Sequence, residues 1–464
     1  MTTNTALDPA NKPNILYIMA DEAIAELMGA YGHHVVKTPN IDKLVAQGVR
    51  FDTAYTPFPL CAPGRAAMMT GRHASSIGAW DNAAPFGSDI PTFAHYLAQN
   101  GYDTVLSGKM HFVGADQLHG FARRLNTDIY PADFDWTRPE WVAMKESKGE
   151  DWRNIMENRS KYNASNYAPD AVQIGVQHGP LTYDEETHFR AKQYLNARGN
   201  NPEPFMLTVS YHHPHEPFWP PQKYWDMYDP TTLPVLVNEQ VTPHTPPYAI
   251  STSYELTHYV DQIDFPKPSD AQRLTDKNAR HLMHGYYACV SYVDAQIGRI
   301  LAALKEHGHS DNTIVVLWSD HGWKLGEHNG WGKMSNYEID TRVPLLIATP
   351  DSRSAGKRIS SPVELLDLFP TLCELAQIEM PTFVDGKSRV NMLNNPNAAY
   401  QSVAYSQYYR RHDHSQDPQQ SPLLRPSQVR QYMGYALRTT THRYVQWRDF
   451  ETGAITAHEL YDHR

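Results

Sequence analysis

Continuous runs of apolar residues mark four segments of the chain, at 14–20, 205–210, 313–318 and 343–348. A run that is apolar on both faces is typical of a strand inside a parallel sheet, where helices cover each face. Stretches with apolar residues at helical spacing lie between these runs. The alternation predicts an α/β fold, with a large mixed, mostly parallel sheet flanked by helices.

Helix start and stop signals lie between the apolar runs. Thr38 as N-cap, Pro39 in the first turn and Gly48 as the stop predict one helix. A second helix is predicted at 90–100 and ends before Gly101. A third and longer amphipathic helix is predicted around Val290, Val293, Ile297, Ile300, Leu301 and Leu304.

The pattern changes in two parts of the chain. Residues 123–183 are polar, aromatic and weakly periodic, and they predict few regular elements. Short strands are predicted at 432–438 and 444–447, which indicates a small subdomain with a short antiparallel sheet. We therefore expect a large α/β domain at 1–382 and a smaller C-terminal α+β subdomain at 383–464.

Charged and imidazole side chains follow four of the predicted strands where each strand ends. Because ligands of open α/β sheets bind beyond the carboxyl ends of the strands, these side chains are candidates for one site. A single acidic residue at a strand end commonly caps a turn or a helix, so each pair alone leaves that interpretation open. The pairs are Asp21 with Glu22, Lys109 with His111 after a further short strand predicted at 102–106, His213 with His215, and Asp320 with His321.

The residue types at these strand ends suit the transfer of a tetrahedral oxyanion. Carboxylates and an imidazole can ligate a hard divalent cation. Arg65, Lys109 and Lys333 supply positive charge for the equatorial oxygens of the transferred group. His111 and His213 can exchange protons near neutral pH, as the entering and leaving groups require.

Cys61 lies in the segment that these groups would surround. Pro63 occupies a first-turn position and Gly71 a helix stop, so the Cys61 side chain should lie at a helix N-terminus, which favours anions. Arg65 would add a bidentate anion donor one turn into this helix. These residues alone leave a second interpretation open, a buried structural cysteine before a short helix.

Charge and composition narrow the class of protein. The 464 residues carry a formal net charge of −10, which argues against a nucleic acid or an acidic membrane surface as partner. No apolar run is long enough to cross a bilayer, and the start has no signal-peptide core. Three cysteines give no disulfide framework. We expect a cytoplasmic protein, or a periplasmic one if a signal segment was removed.

Two motifs resemble those of the type I, formylglycine-dependent sulfatases of the alkaline-phosphatase superfamily. Residues 61–65 read Cys-Ala-Pro-Gly-Arg and match the pattern Cys-x-Pro-x-Arg, and residues 101–111 resemble the second motif of the family. The first third is similar to choline sulfatases at 80–86, 107–114 and 128–133. The last third is similar to iduronate-2-sulfatase at 319–323, 331–333, 404–408 and 433–438.

The resemblance implies a mechanism and a metal. Cys61 would be oxidised to formylglycine by a formylglycine-generating enzyme, and an oxygen of the aldehyde hydrate would attack sulfur. The resemblance implies Ca²⁺ as the cation, with Mg²⁺ as the alternative. The ligands it implies are Asp21, Glu22, Cys61, Asp320 and His321. Glu22 departs from the family pattern, in which many sulfatases carry Asp and choline sulfatases carry Gln.

The same resemblance implies roles for the cations and histidines. Arg65 and Lys109 would hold the formylglycine and the sulfate. His111 would be the base that assists sulfate release. His213 and Lys333 would contact the leaving oxygen, with His213 as the general acid.

The substrate stays open between a choline sulfate-like small molecule and a sulfated sugar. Trp136 could face a quaternary ammonium, although packing is the commoner use of a tryptophan. His215 and Asn82 are further candidates for substrate contact. A sugar acid would instead need cationic or imidazole groups such as His212, His215, Lys324 and His328. The chain ends at Arg464, where relatives continue; we interpret this as evidence against choline sulfatase activity or as a truncation.

Two other functions remain compatible with these residues. A phosphate or phosphonate monoester hydrolase of the same superfamily would use the same cationic site, because both groups are tetrahedral anions. A sulfate-ester binding protein without activity would result if Cys61 stayed unmodified. We expect no nucleic-acid or membrane partner, and homo-oligomerisation stays open.

Overall fold

The fold is described here from a computed structural model, which covers residues 12–82, 84–129, 176, 182–235, 244–249, 274–351, 354–411 and 430–464. The strands are β1 (Asn14–Ala20), β2 (Val49–Tyr55), β3 (Asp103–Gly108), β4 (Arg123–Arg124), β5 (Phe205–Tyr211), β6 (Thr313–Trp318), β7 (Lys324–Leu325), β8 (Trp331–Gly332), β9 (Arg342–Ala348), β10 (Lys357–Ile359), β11 (Val363–Glu364), β12 (Ala404–Arg411), β13 (Arg430–Arg438), β14 (His442–Asp449) and β15 (Ile455–Asp462). The α-helices are α1 (Pro39–Gln47), α2 (Cys61–Thr70), α3 (Phe93–Gln99), α4 (Tyr183–Arg198), α5 (Gln222–Trp225), α6 (Asp276–Glu306), α7 (Glu338–Thr341), α8 (Leu368–Leu375) and α9 (Val390–Asn394).

A nine-stranded sheet forms the centre of the molecule. Its order is β10-β2-β9-β6-β1-β5-β3-β4, and β11 also pairs with β2. β9 runs antiparallel to its neighbours β2 and β6, whereas the other pairings in this sheet are parallel. The prediction of a mixed, mostly parallel sheet is confirmed. The strands β6, β1, β5 and β3 lie side by side, so the four predicted strand ends meet at one edge.

Strand β1 shows why the apolar runs have no polar face. Ile15, Tyr17 and Met19 lie in a hydrophobic core on one face of the sheet, together with residues of α2, α3 and α8. Leu16 and Ile18 lie in a second core on the other face, together with residues of α1, α4 and α6. Because both faces are covered by helices, every position of the strand is apolar.

The helices agree with the sequence pattern to different degrees. Helix α1 has the predicted bounds, and α6 contains the predicted amphipathic stretch but begins earlier, at Asp276. The helix predicted at 90–100 begins at Phe93, because Thr92 forms a capping box with His95. Helix α4 follows the segment that predicted few elements. Its polar residues lie on both faces, and they include the buried Asp184, so it has no clear hydrophobic periodicity.

The C-terminal part contains a four-stranded antiparallel sheet in the order β12-β13-β14-β15, which confirms the predicted short antiparallel sheet. It packs beside the loop that leads into α2. The backbone N–H of Gln407 donates to the carbonyl of Pro57 (2.9 Å), and the Ser406 hydroxyl donates to the carbonyl of Thr56 (2.6 Å). The domain boundary at 383 stays a prediction.

The negative net charge and the lack of a long apolar run in the sequence predict no membrane partner. Within the described ranges, none of the helices combines the length and the apolar character that a bilayer crossing requires.

Candidate active site

Cys61 is the first residue of α2, as the sequence predicts. Its side chain is fully buried, and Gly71 ends the helix in the left-handed region at φ 64°. The loop before α2 packs closely against the helix. A Cβ at Gly64 would lie 2.9 Å from the carbonyl oxygen of Phe58, so glycine is required for this approach. The close packing fixes Cys61 relative to the strand ends.

Four of the predicted metal ligands lie close together in one cluster. Asp21, Glu22, Cys61 and His321 each present a ligand atom, and these atoms all lie within 4.8 Å of one another. Asp320 lies beside this group, where its Oδ1 accepts the backbone N–H groups of Glu22 (3.2 Å) and His321 (3.1 Å). All five side chains are fully buried. The structure therefore brings together every residue that the sequence predicts as a ligand.

The donor set of this cluster fits a divalent cation. Two carboxylates and an imidazole are ligands for such ions, and oxygen-rich sets favour hard cations. The Oε2 of Glu22 is buried without a hydrogen-bond partner among the described residues, so it retains an unused acceptor. Buried carboxylates this close together repel one another unless cations neutralise them. Glu22 also has a left-handed backbone, at φ 60°, directly after β1.

Two ammonium groups flank the sulfur of Cys61. Lys109 contacts the Asp21 carboxylate, and its Nζ lies 3.9 Å from the Cys61 Sγ. Lys333 contacts the Glu22 carboxylate, and its Nζ lies 3.5 Å from the same sulfur. Both ammonium groups are fully buried. They can therefore stabilise an anion that is bound next to residue 61.

Arg65 is predicted as an anion donor, and the structure places its guanidinium between carboxylates. Its Nη2 lies 2.9 Å from Asp21 Oδ1, and its Nε donates to Asp320 Oδ2 at 3.0 Å. Its Nη1 donates to the backbone carbonyl of Lys109 at 2.6 Å. Arg65 thus joins the ends of β1, β3 and β6, and its role toward sulfate stays a prediction.

The electrostatics of the cluster favour an ionised Asp21 and a neutral thiol at Cys61. Although burial alone would raise the pKa of Asp21, Lys109 and Arg65 hold it well below its ordinary value. Burial raises the pKa of the Cys61 thiol well above its ordinary value, against the opposing effect of Lys109. The unmodified cysteine would therefore be a poor source of thiolate.

His111 follows β3 in a left-handed conformation, at φ 57°. Its backbone N–H and that of Met110 donate to the Asp128 Oδ2, at 2.8 and 2.9 Å, and Arg124 donates to the same oxygen at 2.6 Å. Burial, together with the positive charge of Lys109, lowers the pKa of the His111 imidazole to about 3. A neutral imidazole can accept a proton.

The histidine loop, residues 212–216 after β5, carries three buried imidazoles, and those of His212 and His215 contact carboxylates of the cluster. His213 Nδ1 lies 2.7 Å from the carboxylate of Asp184. His215 Nε2 lies 3.1 Å from the Glu22 carboxylate and 3.4 Å from Lys333 Nζ. His215 was predicted as a substrate contact, and the structure places it within the charged cluster. His212 Nδ1 lies 3.6 Å from Asp21 Oδ2.

The other predicted substrate contacts have different surroundings. The Asn82 Oδ1 accepts the backbone N–H of Ala62 at 3.0 Å, so its carbonyl group caps the start of α2. Trp136 lies outside the described residues. Lys324 contacts Asp340 in a buried ion pair. The ring of His328 stacks on Tyr337, with centroids 3.7 Å apart. Roles in substrate binding stay predictions for all of these residues.

Sequence reasoning did not select two buried carboxylates that hold predicted site residues. Asp128 anchors the backbone of His111, and Asp184 contacts the imidazole of His213. Asp128 lies in the stretch 128–133 that resembles choline sulfatases, so a signal for it was present. Asp184 follows Thr182, which caps α4, and an acidic residue in a first helical turn is usually interpreted as a dipole partner.

The comparison with known protein families agrees with this site. A family model described as Sulfatase matches residues 13–378, which include every predicted catalytic residue and metal ligand. The chain belongs to the sulfatase family. The predicted membership is confirmed, and with it the assignment to the hydrolases of the alkaline-phosphatase-like superfamily.

Individual relatives include both subfamilies that the motifs resemble. A choline-sulfatase of Rhizobium meliloti is 38% identical over 397 residues, which are 82% of this sulfatase-family chain and 72% of the relative. An iduronate 2-sulfatase of Mus musculus is 29% identical and covers 98% of the chain and 87% of the relative. Both similarities extend well beyond the thirds of the chain in which their motifs lie.

Solved structures share the fold. A phosphonate monoester hydrolase of Agrobacterium radiobacter superimposes with a TM-score of 0.70 at 22% identity, over 97% of this chain and 89% of that structure. At this identity the similarity establishes the fold alone. The predicted alkaline-phosphatase-like architecture is thereby confirmed.

Proposed function

We propose that the protein hydrolyses a sulfate monoester with a nucleophile formed by oxidation of Cys61 to formylglycine, assisted by Ca²⁺ or Mg²⁺. The observation that carries this proposal is the position of Cys61. It lies at the start of α2, within the group formed by Asp21, Glu22 and His321. We propose a choline sulfate-like small molecule or a sulfated sugar as the substrate.

The cation would be held by Asp21, Glu22, Asp320, His321 and residue 61. When bound, it supplies positive charge for the nucleophile and for an equatorial sulfate oxygen. The formylglycine hydrate supplies a hydroxyl group as nucleophile. A neutral thiol in the unmodified chain would be a weak nucleophile, which favours the modified residue.

The protein's own side chains would provide the remaining chemistry. The ammonium groups of Lys109 and Lys333 lie next to residue 61 and would neutralise the sulfate oxygens. His213 would donate a proton to the leaving alcohol oxygen, so that a neutral alcohol departs. His111 would accept the proton that is released when sulfate is expelled and the aldehyde forms again. The burial of these groups strengthens each electrostatic interaction.

Turnover of nitrophenyl sulfate and nitrophenyl phosphate by the same preparation tests the proposal. We expect kcat/KM for the sulfate to exceed that for the phosphate by at least about tenfold, which corresponds to about 1.4 kcal/mol of transition-state free energy. The Cys61→Ala variant is the matched control for contaminating activity. A preference for the phosphate would favour a phosphate or phosphonate hydrolase. Binding without turnover would favour an unmodified binding protein.

A further inference from the structure

Asp184 makes three hydrogen bonds to the loop that carries His213. Its Oδ1 accepts the backbone N–H of His212 at 2.6 Å, and its Oδ2 accepts the backbone N–H of His213 at 3.0 Å. The Oδ2 also lies 2.7 Å from the Nδ1 of His213. Asp184 is fully buried. Among the described residues, the hydrogen bonds of this buried carboxylate go to the loop, where they fix both its backbone and one of its imidazoles.

Helix α4 holds Asp184 in place through its N-cap and its packing in the core. It lies in the first turn of α4, whose N-cap Thr182 accepts the backbone N–H of Glu185 at 2.9 Å. Leu195 of this helix packs in the same core as Leu207 of β5, the strand that leads into the histidine loop. Helix and loop are therefore fixed relative to each other by a common core.

The contact with Asp184 assigns different tasks to the two nitrogens of His213. A carboxylate accepts hydrogen bonds, so Nδ1 carries a proton and donates a hydrogen bond to Asp184. Although burial alone would raise the pKa of Asp184, the hydrogen bond and charge of His213 lower it below the ordinary value. The Nε2 of His213 is buried without a hydrogen-bond partner among the described residues. Nε2 is thus the nitrogen left for chemistry.

We propose that Asp184 is a positioning residue for His213, holding its Nδ1–H so that Nε2 delivers the proton to the leaving alcohol. This inference rests on the proposed function. As a hydroxyl oxygen of the formylglycine hydrate at residue 61 bonds to sulfur and loses its proton to water, the ester S–O bond breaks. The electron pair of that bond goes to the alcohol oxygen, which takes the proton from Nε2. The imidazolium becomes a neutral imidazole, which water protonates again before the next turnover. Asp184 keeps the proton on Nδ1 and stabilises the imidazolium by its charge.

A comparison of two aryl sulfates tests this role, because a poor leaving group needs the proton more than a good one does. The full-length, formylglycine-containing enzyme and its Asp184→Asn variant are assayed with phenyl sulfate and nitrophenyl sulfate. An asparagine can turn its NH₂ group toward Nδ1 and favour the wrong tautomer. We expect kcat/KM to fall at least about tenfold more with phenyl sulfate than with nitrophenyl sulfate.

Further variants separate positioning from structure. His213→Ala should show the same leaving-group dependence, and the double variant should be no worse than His213→Ala alone. Asp294→Asn is the matched control, because Asp294 is also buried and accepts the backbone N–H groups of Asn40 and Ile41. Asp294→Asn should leave the ratio of kcat/KM for phenyl sulfate to kcat/KM for nitrophenyl sulfate unchanged.

Four results would count against the proposals. An equal loss with both substrates in Asp184→Asn, or additive losses in the double variant, would overturn the proposal. If Asp184→Asn does not fold, Asp184→Glu takes its place. The glutamate keeps the charge and shifts the carboxylate by one methylene, so we expect a leaving-group dependence between those of the wild type and His213→Ala. A ratio of the two kcat/KM values that equals the wild-type ratio would overturn the proposal. Absence of turnover of either ester by the wild-type enzyme would instead contradict the proposed function.

Discussion

The Sγ of Cys61 lies 3.2 Å from the Nε2 of His321, although 260 residues separate them in the sequence. The Nδ1 of His321 lies 3.0 Å from the carbonyl oxygen of Gly322, so the other ring nitrogen faces the sulfur. Helix α2 provides one partner, and the end of β6 provides the other. This pair joins the position of the nucleophile to the candidate metal site.

Replacement of Cys61 by alanine should abolish sulfate-ester turnover without loss of the fold. We expect a fall of more than about 10³-fold in kcat, because the nucleophile is derived from this side chain. Circular dichroism and the melting temperature check the fold, and nitrophenyl sulfate turnover checks the activity. Cys373→Ala is the matched control, since Cys373 is also a buried cysteine but lies within α8, where it packs in the hydrophobic core. Equal effects of the two variants would favour a structural role for Cys61.

Removal of divalent cations should lower both activity and stability. Asp21, Glu22 and Asp320 are buried close together, and a bound cation stabilises the folded state that contains them. We expect chelation to reduce turnover by about 10²-fold or more, because the lost charge stabilisation amounts to several kcal/mol. Added Ca²⁺ should restore activity and the melting temperature. Full activity in a preparation shown by elemental analysis to lack divalent metals would contradict the cluster's assignment.

Replacement of Asp128 by alanine should disturb the loop that carries His111. The change leaves the N–H groups of Met110 and His111 without their acceptor, which costs about 1–3 kcal/mol of the free energy of unfolding. We expect kcat to fall as well, because His111 loses its fixed orientation. Asp116→Ala is the control, since Asp116 accepts the backbone N–H of His119 farther along the same loop. Equal losses of activity in both variants would argue against a specific role for Asp128.

Glu364 should make the stability of the protein depend on pH. It lies on β11, and its Oε1 accepts the backbone N–H of Tyr405 at the start of the C-terminal sheet. Burial, together with the charge of the nearby Asp367, raises the pKa of Glu364 from 4.5 to about 8. Between these values the folded state binds more protons than the unfolded state. The free energy of unfolding should therefore fall as pH rises through this window, by up to about 1.4 kcal/mol per pH unit.

The Glu364→Gln variant isolates this contribution. Glutamine keeps an acceptor for the N–H of Tyr405 and removes the titrating group. Urea unfolding of both proteins at pH 5 and pH 8 should show the variant gaining stability relative to the wild type as pH rises. If the unfolding free energies of the wild type and Glu364→Gln differ by the same amount at both pH values, the raised pKa of Glu364 is contradicted.

The sequence predicted the parts of the site that directly follow buried strands. Asp21, His213 and Asp320 each follow an apolar run, and such runs are strong signals because helices cover both faces of the sheet. Their convergence follows from a rule about parallel strands and needs no knowledge of side-chain contacts. The order in which β6, β1, β5 and β3 lie side by side was not predicted, because apolar strands carry no information about their neighbours.

Other parts of the site depend on tertiary contacts that leave no local pattern. Asp184 and Asp128 are acidic residues that the fold buries, and their partners lie 29 and 17 residues away in the sequence. Asn82 caps α2 through a bond to Ala62. His215 contacts Glu22 and Lys333, although its place in the loop alone favoured a substrate contact. Polar residues at exposed and buried positions look alike in the sequence when no periodicity distinguishes them.

The most direct test of the account is mass spectrometry of the peptide that contains residue 61, isolated from protein made in its native host. We expect a peptide lighter than the cysteine form, as oxidation to formylglycine requires, and a modified fraction that rises in proportion to the turnover of nitrophenyl sulfate. A fully thiol Cys61 in a preparation that is active toward the ester would contradict the account.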